Sequence, residues 1–165
     1  MSSQIASIVD YTAYLAAGIQ DVPVLDGQTI GIRSVAGAGQ GIWDDPLRAG
    51  QKIAPAGSNP IEELSHWSEL PTAPGVTWVD QDGTVQLSWT IVMKLFFSRG
   101  DVARIRQLAL PFYDRYLAVF AKLANYTLGG LALRTQLTSF AVMATEESEW
   151  AWLETRLLVV ELVQY

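Results

Sequence analysis

His66 is the single imidazole of the 165-residue chain, and imidazole is the side chain best suited to moving protons near neutral pH. Glu62 stands one helical turn before it and Glu69 about one turn after, the spacing at which a carboxylate orients a histidine along a helix. On the short surface helix expected here, the plainer reading is a solvated histidine. The carboxylate pairs Asp44-Asp45 and Glu62-Glu63 are adjacent in sequence, so their side chains diverge and do not face one substrate as a glycosidase couple does. Glu62 and Glu63 suit a helix N-terminus, where negative charge meets the macrodipole. The run Gly37-Ala38-Gly39-Gln40-Gly41 follows an expected strand, but Trp43-Asp44-Asp45-Pro46 comes where a dinucleotide loop requires a helix. The chain contains neither a Gly-Lys-Ser/Thr phosphate loop nor a Gly-x-Ser-x-Gly elbow.

Zero cysteines remove disulfides, thiolate nucleophiles and sulfur metal sites together. With one histidine, a metal would need carboxylates almost alone, and no calcium-loop spacing is present. No catalytic residue, metal or cofactor is therefore expected, and the protein is not expected to be an enzyme.

Aromatic and apolar residues offer a different chemistry, that of contact. Six tryptophans are many for this length. Trp89 falls on the core side of an alternating strand, whereas Trp150 and Trp152 share one strand face without a neighbouring cation, which argues against a base-stacking platform. Aromatic side chains are enriched at interface cores, so the candidate subunit or partner interface is Ile42, Trp43, Ile53, Trp67, Trp150 and Trp152. Glu146, Glu147 and Glu149 crowd an expected hairpin tip, either as a solvated cluster that discourages wrong edge pairing or as docking charges for a basic partner.

The elements that must position these residues follow from spacing. Ile5, Ile8, Val9, Thr12, Leu15 and Ala16 recur at helical period after Ser2 and Ser3, suitable N-caps, and stop at Gly18, a C′ glycine. Thr29 to Val35 reads as a strand after the Asp26-Gly27 turn. Glycines and prolines crowd residues 36 to 60 and forbid regular structure over most of that stretch. Asn59-Pro60-Ile61-Glu62 supplies a cap, a proline at the first helical position and a glutamate, opening a short helix to about Leu70 that Pro71 and Pro74 close. Val76 to Val79 then leads through Asp80-Gln81-Asp82-Gly83 into a long strand from Thr84 to Phe97, whose odd residues face the core. Asp101 caps a second long helix with Val102, Ile105, Ala109, Phe112, Tyr116, Phe120 and Leu123 on one face, and Pro111 predicts a kink near residues 107 to 110 or two abutting helices. Asn125 to Gly130 turns the chain into strands at about 131 to 143 and 150 to 163.

This order does not alternate strand and helix. It predicts one α+β domain over residues 1–165: a mostly antiparallel sheet of about four to five strands, with the N-terminal helix and one long central helix packed on one face and a Gly/Pro-rich loop insertion at about 36–70. A sheet face left uncovered by helices would need a partner.

Half of the residues are apolar or aromatic and only 17% are charged, and mean hydropathy is +0.19. Such a chain folds, and its apolar excess points to surface covered by other subunits. Net charge is −6, distributed as −6 over residues 1–80, +3 over 81–130 and −3 over 131–165. An acidic chain without a basic stripe is a poor generic nucleic-acid binder, while alternating charge suits subunits choosing one another's faces. Uncharged runs such as Gly83–Met93 and Leu123–Leu133 reach eleven residues, short of a membrane span, and the first basic residue is Arg33, so no secretory signal is expected.

The lead-in Leu70-Pro71-Thr72-Ala73-Pro74-Gly75, the hairpin into Trp89-Thr90-Ile91-Val92-Met93-Lys94-Leu95, the helix after Asp101, Tyr126-Thr127-Leu128-Gly129-Gly130 before a strand, and the closing Val159-Val160-Glu161-Leu162 form one layout. With the amphipathic N-terminal helix, this layout resembles that of the tail terminator proteins of long-tailed bacteriophages. Residues 36 to 70 depart from it. The resemblance implies a small α+β structural protein without a catalytic site, forming a homo-oligomeric, hexameric ring on the head-proximal end of the tail tube. Its implied partners are the tail tube protein and the head-completion or connector protein. Genome DNA would pass through the ring without sequence-specific binding, and no membrane is involved. The implied location is the virion, at the head–tail interface, after assembly in the host cytoplasm. Two alternatives stand beside it: a head-completion or neck connector protein, and a small-ligand binding domain with a pocket near His66, Trp67 and the glycine loop.

Overall fold

The computed structural model describes residues 2–23, 29–34, 63–98, 102–144 and 150–165. In chain order its elements are helix α1 (Ile5–Ala17), strands β1 (Val22–Pro23), β2 (Thr29–Ser34), β3 (Glu63–Ser68), β4 (Gly75–Trp78) and β5 (Thr84–Ser98), and helix α2 (Val102–Phe120). Two 3₁₀ turns at Leu123–Asn125 and Leu128–Gly130 precede strands β6 (Arg134–Ala144) and β7 (Trp150–Gln164). The fold is α+β, and the sheet runs β1-β2-β3-β5-β7-β6 with β4 also alongside β5. All described pairings are antiparallel except β2 with β3. Among the described residues the sheet has seven strands, more than the expected four or five, because it also takes in the two-residue β1 and because β3 arises where a helix was predicted.

Its spine is the β5–β7 ladder, which pairs every residue from Thr84↔Gln164 to Ser98↔Trp150. Odd residues of β5 alternate inward as expected: Val85, Leu87, Trp89, Ile91, Met93 and Leu95 are all buried. Opposite them, Val163, Val159, Leu157 and Leu153 of β7 face the same side. Both helices cover this face. Ile8, Val9 and Ala16 of α1 and Ala109, Phe112, Tyr116 and Phe120 of α2 join those strand residues in one core. Burying each large aliphatic or aromatic side chain stabilises the fold by about 1.5–3 kcal/mol.

Helix α2 is one continuous helix through Pro111, not two abutting pieces. It ends at Phe120, so Leu123 does not extend its core face; Leu123 sits in a 3₁₀ turn and is 88% exposed. Gly18 closes α1 where expected, but with φ −73°, a right-handed conformation that any residue adopts.

The largest correction is β3. Residues 63–68 form a strand, parallel to β2 and antiparallel to β5, instead of a helix. Consecutive His66, Trp67 and Ser68 are all buried. A strand covered on both faces accommodates three successive buried residues, whereas a surface helix with one apolar stripe does not. Asn59-Pro60-Ile61-Glu62, the predicted cap, lies outside the described residues.

Helix α1 carries no acidic residue in its first turn, and its N-cap is Gln4, which makes no side-chain capping bond, not the expected Ser2 or Ser3. The buried Glu161 of β7 fills that role. Its Oε2 accepts the Gln4 N–H at 3.1 Å, and its Oε1 accepts the Trp89 Nε1–H at 2.9 Å and the Ser3 hydroxyl. Ser3 Oγ in turn accepts the Ile5 N–H at 3.2 Å. A carboxylate at a helix N-terminus satisfies orphan donors and complements the macrodipole. At the other end, Gln20 Nε2 donates to Ala17 O and to Ile32 O of β2, both at 2.9 Å. Gly31 leaves room for this side chain, since a Cβ there would lie 1.8 Å from Gln20 Oε1.

Glu161→Ala orphans the Trp89 indole and the α1 N-terminus together and is expected to lower stability by about 2–4 kcal/mol. Glu161→Gln, which keeps an acceptor oxygen, is expected to cost less. Urea denaturation followed by far-UV circular dichroism measures both, and equal stabilities for wild type and Glu161→Ala would refute the capping role.

Candidate functional site

Under the helices, β3 and β7 place His66, Ser68 and Thr155 on one face. The register runs His66↔Leu95 and Ser68↔Met93↔Thr155 across β5. Both His66 nitrogens, Ser68 Oγ and Thr155 Oγ1 are buried without a hydrogen-bond partner among the described residues. The His66 ring lies 6.1 Å from the Tyr116 ring at 34°. Burial drives the His66 pKa down to about 3 and pushes the Tyr116 hydroxyl above its ordinary range. The imidazole is therefore neutral near pH 7 and too weak a base for general-base work. His66 is thus a core residue and not the solvated histidine the sequence suggested. Glu69 lies exposed just beyond the end of β3, and Glu62 lies outside the described residues.

The opposite face carries an aromatic and cationic cluster. Trp67 pairs with Lys94 from β3, and the Lys94 Nζ sits 5.3 Å from the ring centroids of both Trp67 and Trp152. Such contacts are worth about 0.5–2 kcal/mol each, more as water is excluded. Phe96 packs 6.4 Å from the Trp152 ring. Glu154, opposite Lys94, accepts from Trp152 Nε1 at 3.3 Å and forms an ion pair with Arg156 at 3.1 Å. Trp67 is 1% and Trp152 9% exposed within the single chain, so neither presents area to a partner. Because His66 and Trp67 are neighbours on a strand, they lie on opposite faces and do not converge on one pocket. Trp150 opens β7 opposite Ser98. Ile42, Trp43, Ile53, the glycine run at 37–41 and Glu146, Glu147 and Glu149 lie outside the described residues.

Where β3 leaves β5 and β4 joins it, an open groove of about 350 Å³ is lined by Glu69, Thr72, Ser88, Thr90 and Val92. Among the described residues no three histidine, cysteine or acidic side chains gather as a metal site, and no helix is long and apolar enough to cross a membrane.

Two groups of exposed apolar side chains lie at separated edges, while Tyr14, Leu110, Val142, Met143, Leu162 and Tyr165 are exposed elsewhere. On the β4 side, Val76, Trp78 and Val79 are exposed, Trp78 at 71%. The turn beyond them holds Asp80 and Asp82 in water, and Asp80 Oδ1 accepts the N–H groups of Asp82 and Thr84 at 3.0 Å. Those bonds, the one from Thr84 first, hold the Asp80 carboxyl below its usual range, so it is ionised. On the β6 side, Leu123, Tyr126 and Leu133 are exposed between the exposed cations Lys122 and Arg134. Sequence reasoning singled out neither patch. The signal was present in Val76-Thr77-Trp78-Val79, an apolar strand running directly into an acidic turn.

The unfolded chain protonates His66 below about pH 6.5, while the folded chain leaves it neutral down to about pH 3. Unfolding therefore takes up a proton between these values, and stability falls as pH drops through the window. Between pH 7 and 5 this loss is ~2 kcal/mol. His66→Leu is expected to lose ~2 kcal/mol less over the same interval, measured from urea midpoints at both pH values; parallel losses in the two proteins would refute a neutral buried imidazole.

Comparison with protein-family models and with curated proteins gives no match.

Proposed function

We propose that the protein is a structural virion component that caps the head-proximal end of a bacteriophage tail tube as a ring, ending tube polymerisation and forming the joint to the head-completion protein. The observation that carries this reading is a pair of exposed apolar groups at two unlike sheet edges, one around Trp78 and one around Leu123 and Leu133. A chain with two different adhesive surfaces associates head to tail, and head-to-tail contacts that close generate rings. The layout of elements that resembles tail terminators supports the same assignment. The contact role also fits a core whose one histidine is sealed away from solvent beneath helix α2.

Native mass spectrometry with negative-stain imaging tests the proposal. The expected result is a ring of about six copies, free in solution or formed on addition of cognate tail tubes, with density at one tube end. A chain that stays monomeric at high concentration with tubes present would overturn it.

A further inference from the structure

The two exposed patches lie toward the same end of the sheet, with Trp78 opposite Val85 and Val163, three residues beyond the row that reaches Arg134. Gly75 of β4 pairs with Ser88, Ser88 with Val160, and Val160 with Arg134 of β6, so one row of residues crosses four strands from edge to edge. With neighbouring strands about 4.8 Å apart, the row spans about 14 Å. The turn holding Leu123, Tyr126 and Leu133 leads into the Arg134 end of this row, anchored by Leu133 N–H donating to Val160 O at 2.7 Å. At the Gly75 end, β4 runs on to Trp78 and the Asp80–Gly83 turn.

Their charges are opposite. Asp80 and Asp82 flank the Trp78 patch, and Lys122 and Arg134 flank the Leu123 patch. Either patch docked on its own copy would place like charges together, whereas one docked on the other matches sign and apolar area. Strand direction agrees. Three successive antiparallel pairings separate β4 from β6, so the two edge strands run antiparallel. Rotation about an axis along the strands brings β4 of one copy to the Arg134 end of β6 in the next, antiparallel, with the Gly75–Arg134 row in common. A contact made without a rise closes into a ring instead of climbing into a filament.

We infer that the β4 hairpin of one copy, led by Trp78 and Asp82, docks on the Lys122–Arg134 turn of the next. This contact rests on the ring reading above and names its two surfaces. Trp78 is the central anchor, and the charges set the pairing.

Charge reversal tests it on the full chain by native mass and sedimentation at several protein concentrations. Asp82→Lys leaves the Asp80 carboxylate that organises the hairpin turn, and Arg134→Glu changes an exposed side chain, so both keep the wild-type circular dichroism. Each is expected to raise the concentration needed for assembly about tenfold at low salt, and the Asp82→Lys/Arg134→Glu double variant, with the pair restored in reverse, to recover it. Trp78→Ala is expected to raise it about thirtyfold or more. Rings from both single variants at the wild-type concentration, or a double variant no better than the singles, would overturn this contact and leave the ring reading standing. A wild-type chain that stays monomeric with tubes present would overturn both.

Discussion

A buried carboxylate holds the two halves of this fold together. Glu161 lies on the helix-covered face of β7, where an unpartnered charge would cost several kcal/mol, and three donors meet it there: the Trp89 indole, the Ser3 hydroxyl and the Gln4 amide. Trp89 belongs to β5, so the same oxygens that start α1 also bridge the central ladder. Gln20 does the matching work at the other end of the helix by bonding both Ala17 O and Ile32 O. With α1 fixed at both ends, its Ile8, Val9 and Ala16 face has one seat, across β2 and β3, and α2 fills the rest of that side.

The other face is built differently. Lys94 lies between the Trp67 and Trp152 rings, and its ammonium interacts with their π faces while the aromatic surface is withdrawn from water. With this cluster buried, part of the apolar surface left in solvent lies at the sheet edges, where β4 is four residues long and β6 carries a bulge between Leu137 and Ser139. Short edges and bulges limit indiscriminate strand addition. The edges therefore favour contact through side chains at defined places.

Periodicity made most of the fold legible. The alternation from Val85 to Leu95 is unbroken, and the spacing of Ala109, Phe112, Tyr116 and Phe120 is helical, so local pattern and final burial agree. Residues 63–68 were not legible, because Leu64, Trp67 and the flanking prolines satisfy a helical pattern as well as a strand. Only pairing with β2 and β5, remote in sequence, decides between them. Glu161 was invisible as a cap for the same reason: it lies 157 residues from Gln4. The candidate surfaces were partly legible. Tryptophans drew attention to contact, but which of them are buried depends on how Trp67 and Trp152 converge on Lys94, while Trp78 is exposed.

That separation also orders events during synthesis. Helix α1 is made early, yet the Gln4 N–H at its start has no carboxylate acceptor until Glu161 has been translated, on the order of ten seconds later. Strands β2 and β3, which seat its apolar face, are made well before that acceptor, whereas β6 and β7 are close in sequence and pair as soon as both emerge. The seat of α1 is thus complete in the nascent chain before its N-terminus is fixed, so the last strand made is the one that locks the first helix in place.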